Sequence, residues 1–301
     1  DIAPLRQISA QIAASDAHLF RPSAAYRIRR DNYPDTPLPP EEPAGQNPPD
    51  GAILYYYLKS PASAPVTLEV FDKGGKLIRR YASDDKPEPV DPLLNVPTYW
   101  IRPPQILAAN AGMHRFVWDL HYPPPDALRH EYPISAIYRD TPRYPLGPAV
   151  MAGRYSIKLT VDGMSYTQPL TVKMDPRVKT PPAGLLQQFT LATRVIGMMH
   201  QDFQALQEIR ELRSKLGQQN PDLEKQAAAL EGGSRRPPGD EDEDEDAGGL
   251  TKLNNDLNTV LGVIEGADAT PTTQAAATVG ELERRLQSLL AKSRELKAKA
   301  K

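Results

Sequence analysis

"GRYSIKLTVDGMSYTQPLTVKM", residues 153–174, decides how the first part of the chain is read. Two β-rich runs, 153–161 and 164–174, flank the dipeptide Asp162-Gly163. A type I′ turn needs a positive φ at both central residues, which Gly adopts freely and Asp tolerates, and its twist matches that of paired strands. The stretch therefore predicts a tight antiparallel hairpin.

The same grammar continues outward. "AILYYYL" (52–58) is a β-rich run, and "VTLEVFD" (66–72) alternates Val66, Leu68 and Val70 against Thr67 and Glu69. "KGGK" (73–76) turns into "LIRRYAS" (77–83), a second predicted hairpin. Between the hairpins lie a proline-rich stretch, 87–110, and "AGMHRFVWDLHYPPP", 111–125. Alternation in that run sends Met113, Arg115, Val117 and Asp119 to one face and His114, Phe116, Trp118 and Leu120 to the other. Phe116, Trp118 and Leu120 are expected in the core, with His114 capping its edge. Short strands, turn signals and long loops predict an antiparallel immunoglobulin/fibronectin-like β-sandwich over residues 51–176. Residues 1–50 show little periodicity and run into "DNYPDTPLPPEEPAGQNPPDG" (31–51), so an extended proline-rich linker is expected there.

Proline marks the next boundary. Of 32 prolines only Pro221, Pro237, Pro238 and Pro271 lie beyond Pro182, and proline is tolerated in loops and strand edges but breaks helix interiors. After Pro181-Pro182 the period becomes helical. Leu185, Phe189, Ile196, Met199, Phe203, Leu206, Ile209 and Leu216 form one stripe. Leu250, Leu253, Leu257, Val260, Leu261 and Ile264 form a second, and Val279, Leu282, Leu286, Leu289, Leu290 and Leu296 a third. Such stripes need partners, so residues 182–301 are expected to make an antiparallel helical hairpin or a three-helix bundle. "GGSRRPPGDEDEDEDAGG" (232–249), with its unbroken carboxylates from Asp240 to Asp246, reads as a disordered, solvated acidic loop without the spacing of a calcium loop.

Charge and composition narrow the function classes. Lys and Arg number 36 against 38 Asp and Glu, a formal net charge of -2, so no global positive field collects nucleic acid. No apolar run is long enough to span a bilayer, and the first twenty residues lack the grammar of an export signal. The chain opens at Asp1 rather than Met, which suits a processed or excised piece. With no cysteine, disulfides and thiolate metal sites are excluded. Nucleophile-elbow, phosphate-loop, dinucleotide and zinc-helix motifs are absent, and no cofactor or metal is expected.

Candidate sites remain in two groups. His114, His121 and His130 would form a metal site or an acid/base pair with Asp119 and Glu131 if the loop after the strand folded back, although their spacing matches no zinc pattern. Tyr55, Tyr56, Tyr57, Tyr99, Trp100, Tyr122, Tyr132, Tyr138 and Tyr144 supply rings suited to stacking on sugar faces. The residues retained as ligand or interface candidates are Trp100, His121, Tyr122, His130 and Glu131; none is assigned a catalytic role.

"DIAPLRQ" (1–7), "AHLFRPSAAYRIRR" (17–30), "NPPDGAILYYYLK" (47–59), "AGMHRFVWDLHYP" (111–123) and "AGRYSIKLTVDGMSYTQPLTVKMDPRV" (152–178), taken in order, resemble the C-terminal region of bacterial sortilin-like proteins with BNR/Asp-box β-propellers, often labelled glycosyl-hydrolase-like. The resemblance covers about residues 1–180, and the helical part matches less distinctively. It implies an exported polypeptide, periplasmic or extracellular, whose propeller domains lie upstream. In it this chain would be a noncatalytic accessory module docking on the propeller or on a protein partner, with no membrane insertion. The Asp-box pattern itself is not found here, and no catalytic residue transfers. Two rivals stand beside this reading: a share in a polysaccharide hydrolase through His121 or Glu131, and a carbohydrate-binding module using Trp100.

Overall fold

A computed structural model describes residues 2–30, 41–43, 45, 47–87, 94, 96–133, 138–216, 220–232 and 248–300. The chain divides into two compact units. Asp1–Pro123 and Tyr132–Lys179 form a β unit; Pro124–Glu131 and Thr180–Lys301 form a helical unit.

In the β unit the strands are β1 (Ala17–Leu19), β2 (Ala25–Arg27), β3 (Ala52–Leu58), β4 (Thr67–Phe71), β5 (Leu77–Ala82), β6 (Gly112–Trp118), β7 (Gly153–Val161) and β8 (Met164–Met174), preceded by a short helix α1 (Ala10–Ala14). The hairpin of β7 and β8 forms as read. Val161 pairs with Met164, and Asp162 and Gly163 take φ of 46° and 81°. Asp162 also ties the turn to a neighbouring loop, its Oδ1 accepting from Ser63 N, Ser63 Oγ and Ala64 N at 2.9, 2.8 and 3.0 Å. These bonds, the Ser63 hydroxyl first among them, hold the Asp162 carboxyl below its ordinary range. At the second hairpin Asp72 Oδ1 accepts from Gly74 N and Lys76 N at 2.8 and 2.9 Å, turning β4 into β5.

β6 pairs antiparallel with β3 from Ala52↔Trp118 to Leu58↔Gly112. Its alternation resolves as expected: Phe116, Trp118 and Leu120 are buried. The His114 ring lies 5.0 Å from that of Tyr56 at the edge of the core, with Nε2 2.6 Å from the Asn110 carbonyl. Leu54, Tyr56 and Leu58 of β3 join one core with Leu68 and Val70 of β4, Ile157 and Leu159 of β7, and Leu170 and Val172 of β8.

The architecture nevertheless corrects the immunoglobulin/fibronectin-like sandwich. The sheets are ordered β1-β3-β6 and β2-β8-β7-β4-β5. The larger one is mixed, because β2 runs parallel to β8, and it curls into a half-barrel. Both strands that alter the topology, β1 and β2, come from the stretch read as linker. Each is three residues long, too short to show a period of two, and a parallel pairing between distant segments leaves no turn signature. The buried Arg27 fastens β2, its Nη1 donating to Val150 O at 3.0 Å.

In the helical unit the described elements are α2 (Pro182–Leu216), α3 (Pro221–Glu231), α4 (Leu250–Glu265) and α5 (Thr273–Lys299). Four helices therefore replace the expected hairpin or three-helix bundle. α3 escapes the stripe reading because its apolar face is little more than Leu223, Ala227 and Leu230, on a segment of 11 residues. Its start is nonetheless well signalled: Asn220 Oδ1 accepts from Leu223 N at 3.3 Å and Pro221 follows the cap. Thr272 caps α5 in the same way, accepting from Ala275 N at 3.1 Å. Every residue of the second stripe is buried in α4. On α2 the face turns slightly: Gln188, Ala192, Val195 and Asp202 are buried, while Phe189, Ile196 and Phe203 lie half-buried at its flank. The acidic run 240–246 lies outside the described residues.

Candidate functional site

Trp100 sits in a 3-10 turn, Thr98–Trp100, half-buried. Its neighbours run alongside residues 139–141 through Arg139 N to Tyr99 O, Thr141 N to Trp100 O and Arg102 N to Thr141 O, at 2.9, 3.0 and 2.9 Å. A box of alternating charges clamps this pairing. Arg102 reaches Asp140 Oδ1 at 3.0 Å through Nε and Asp50 Oδ2 at 2.9 Å through Nη2, and Arg30 Nη1 reaches Asp140 Oδ2 at 3.1 Å. Burial raises the Asp140 carboxyl above its usual range, with Arg102 and Arg30 opposing the shift. Tyr99 meets Trp100 at an interplanar angle of 89° and Tyr138 at 38°, so the three rings share no common stacking plane.

His121 is occupied locally. Its Nδ1 lies 2.7 Å from Asp119 O, its backbone N–H donates to Asp119 Oδ1 at 3.2 Å, and its carbonyl accepts from Trp118 Nε1 at 3.3 Å. Tyr122 N donates to Pro148 O at 3.0 Å, and burial, aided by Asp72, pushes the Tyr122 hydroxyl up. His130 and the exposed Glu131 belong to the other unit, and burial holds the His130 imidazole below its ordinary value. The structure thus assigns His114, His121 and Asp119 to the β unit and His130 and Glu131 to the helical one. Among the described residues no group of three or more His, Asp or Glu is arranged to hold a metal.

A second polar cluster lies inside the helical unit, around the buried Asp202 and Asn254. Residues 124–131 cross the helices as a strap without regular secondary structure, and Ala127 and Leu128 enter the helical core. Asn254 of α4, fully buried, grips the strap with its whole amide. Oδ1 accepts from Leu128 N at 2.9 Å, while Nδ2 donates to Asp126 O at 3.2 Å and to Asp202 Oδ2 at 3.1 Å. Asp202 of α2 is also fully buried, and its Oδ1 makes no hydrogen bond. Burial pushes its carboxyl up to about 7, against smaller opposing effects from the Asn254 hydrogen bond and the charge of Arg285. Arg285 of α5 is engaged elsewhere, donating from Nη1 to Asp256 Oδ2 at 2.8 Å. At the rim His200 Nδ1 stands 2.6 Å from Asp126 Oδ2, and Gln204 Nε2 lies 2.9 Å from His200 Nε2. If that amide donates, the ring proton sits on Nδ1, facing Asp126.

Asp202 is sealed from solvent, so its carboxyl is not open to a substrate. It was legible only as a polar residue in the middle of an apolar stripe. Asn254→Leu keeps the bulk and leaves the Leu128 N–H and Asp126 carbonyl without their partner. The expected cost is about 2 kcal/mol, read from urea unfolding of the helical signal at 222 nm. An unchanged midpoint would mean the strap contributes nothing to the unit.

No family model matches the chain, and no curated protein matches it at a significant level. By architecture the chain has a mixed, curled β unit and a helical unit with four helices among the described residues and residues 124–131 as a strap. No helix is long and apolar enough to cross a membrane, among the described residues.

Proposed function

We propose that the chain is a noncatalytic interaction module that docks on a protein partner through its N-terminal segment. The observation that carries this reading is the exposure of Ile2, Leu5 and Ile8, at 60, 63 and 51%. A single exposed apolar side chain is ordinary, but three within one short segment are not. The segment is held in place: Gln7 Nε2 donates to Arg21 O at 2.9 Å, Arg21 N donates back to Gln7 Oε1 at 3.0 Å, and Pro4 is buried. Fixing a segment costs conformational entropy, and burying its outward apolar groups against a partner offsets that cost. The partner we propose is a β-propeller of the Asp-box type, as the ordered sequence phrases imply, and with it an exported location.

Substitution is the informative change, since β1 and β2 lie within the first 30 residues and a deletion would remove both strands. The triple variant Ile2→Ser, Leu5→Ser, Ile8→Ser is expected to melt as the wild type does. In calorimetric titration with a purified bacterial Asp-box propeller it should bind at least tenfold more weakly. Absence of wild-type binding at micromolar concentrations, or equal binding by the variant, overturns the reading.

A further inference from the structure

We propose that the docking of strap 124–131 on the helices is a proton-controlled latch, closed while Asp202 is protonated and loosened when Asp202 ionises. The argument starts from connectivity. Among the described residues the strap's side-chain hydrogen bonds to the helices run through Asn254, which holds Leu128 N and Asp126 O, and His200, which faces the Asp126 carboxylate, while Ala127 and Leu128 add apolar packing. One nitrogen, Asn254 Nδ2, serves both the strap carbonyl and Asp202 Oδ2, at 3.2 and 3.1 Å. The strap is therefore one amide away from a fully buried carboxyl group.

Protonated, Asp202 is neutral: Oδ2 accepts from Asn254 and the proton sits on Oδ1, an uncharged hydroxyl that costs far less in a dry interior than a charge would. Ionised, it is a charge with a single donor, Asn254, and an Oδ1 that no donor reaches. The charged and titratable groups around it make no hydrogen bond to it. From α5, Arg285 acts on it through space, its Nη1 paired with Asp256 of α4 and its buried Nη2 bonded neither to Asp202 nor to any other group. From α2, His200 points to the rim. From the strap, the Asp126 carboxylate faces His200 at the rim, and His130 bonds within the strap to Ala127. An uncompensated buried charge is relieved by admitting water. Water enters where the covering is weakest. α2, α4 and α5 are held by continuous helical ladders, whereas the strap has no helix or strand and only isolated backbone bonds such as Ala127 N to Pro125 O, so the strap is what yields.

The test is amide hydrogen exchange of the wild-type chain between pH 6 and 8, with protection corrected for the pH dependence of intrinsic exchange. Protection of the Leu128 amide should fall at least tenfold across that range, while the amides of Val195 in α2 and Leu257 in α4 keep theirs. In Asp202→Asn, folded by its 222 nm ellipticity, Leu128 protection should be flat. A flat wild-type profile overturns the latch, as does an equal fall in helix and strap, and neither result depends on the variant. An undiminished fall in a folded Asp202→Asn protein also overturns it, by assigning the titration to another group.

Discussion

Gly51→Ala is expected to unfold the β unit under conditions where the helical unit survives. Gly51 precedes β3 with φ of 137°, a backbone conformation closed to an L side chain. A Cβ there would also lie 2.0 Å from the Trp118 carbonyl oxygen and 2.7 Å from its carbon, both backbone atoms that cannot rotate away. Ala52 pairs with Trp118, so relieving the clash means parting β3 from β6 at the point where Trp118 is fully buried. Backbone strain alone costs on the order of 1–3 kcal/mol, and displacement of a paired strand adds to it, giving an expected loss above roughly 3 kcal/mol. Gly112 is the internal control. It has φ of 125° but open space around a built Cβ, so Gly112→Ala should show the strain without the clash. The two tryptophans, Trp100 and Trp118, both lie in the β unit. Their fluorescence during denaturation therefore follows that unit alone, and equal losses for the two variants would refute the steric account.

What sequence could and could not convey follows the range of each signal. The turn at Asp162-Gly163, the inward face of Phe116 and Trp118, and the apolar stripe of α4 are local patterns fixed by φ preference or period, and they are present as read. The curled, mixed sheet depends on β2 finding β8 in parallel, a pairing of residues 25–27 with 172–174 for which no local pattern exists. The polar cluster failed to show for a different reason. A stripe is defined by its apolar residues, so the pattern carries no mark of Asp202 and Gln188, although both are buried on the inner face of α2. Gln188 has an evident use, donating from Nε2 to Ile264 O and Ala267 O at 2.7 and 2.6 Å at the end of α4. His121 and Glu131 were singled out by residue type and neighbourhood in sequence, yet the chain enters the helical unit between them.

The stability of the helical unit should fall as pH rises from about 4 to about 7, and Asp202→Asn should abolish that fall. The sign follows from proton binding. The folded state holds the Asp202 proton up to about 7, whereas the ordinary value is 3.8, so between these limits the folded state binds more protons than the unfolded one. Its contribution is complete below the unfolded value and is lost as pH climbs through the folded one. At about 1.36 kcal/mol per unit the full change is roughly 4 kcal/mol, an upper figure because a strap that opens lets the charge reach water. His130, lowered by burial in the same unit, acts in the opposite direction, gaining stability as pH rises past its folded value. Comparison with the variant removes that contribution, since His130 is present in both proteins. Glu231 and Glu283, lowered below the ordinary 4.5 with their arginine partners, titrate at lower pH and leave the range from 5 to 8 clear. Urea midpoints at 222 nm should therefore drop between pH 5 and pH 8 for the wild type and hold steady or rise for Asp202→Asn. A parallel drop in both would show that Asp202 is already charged or already solvated in the folded protein. A wild type without a drop, beside a variant that rises, would mean that His130 cancels the effect.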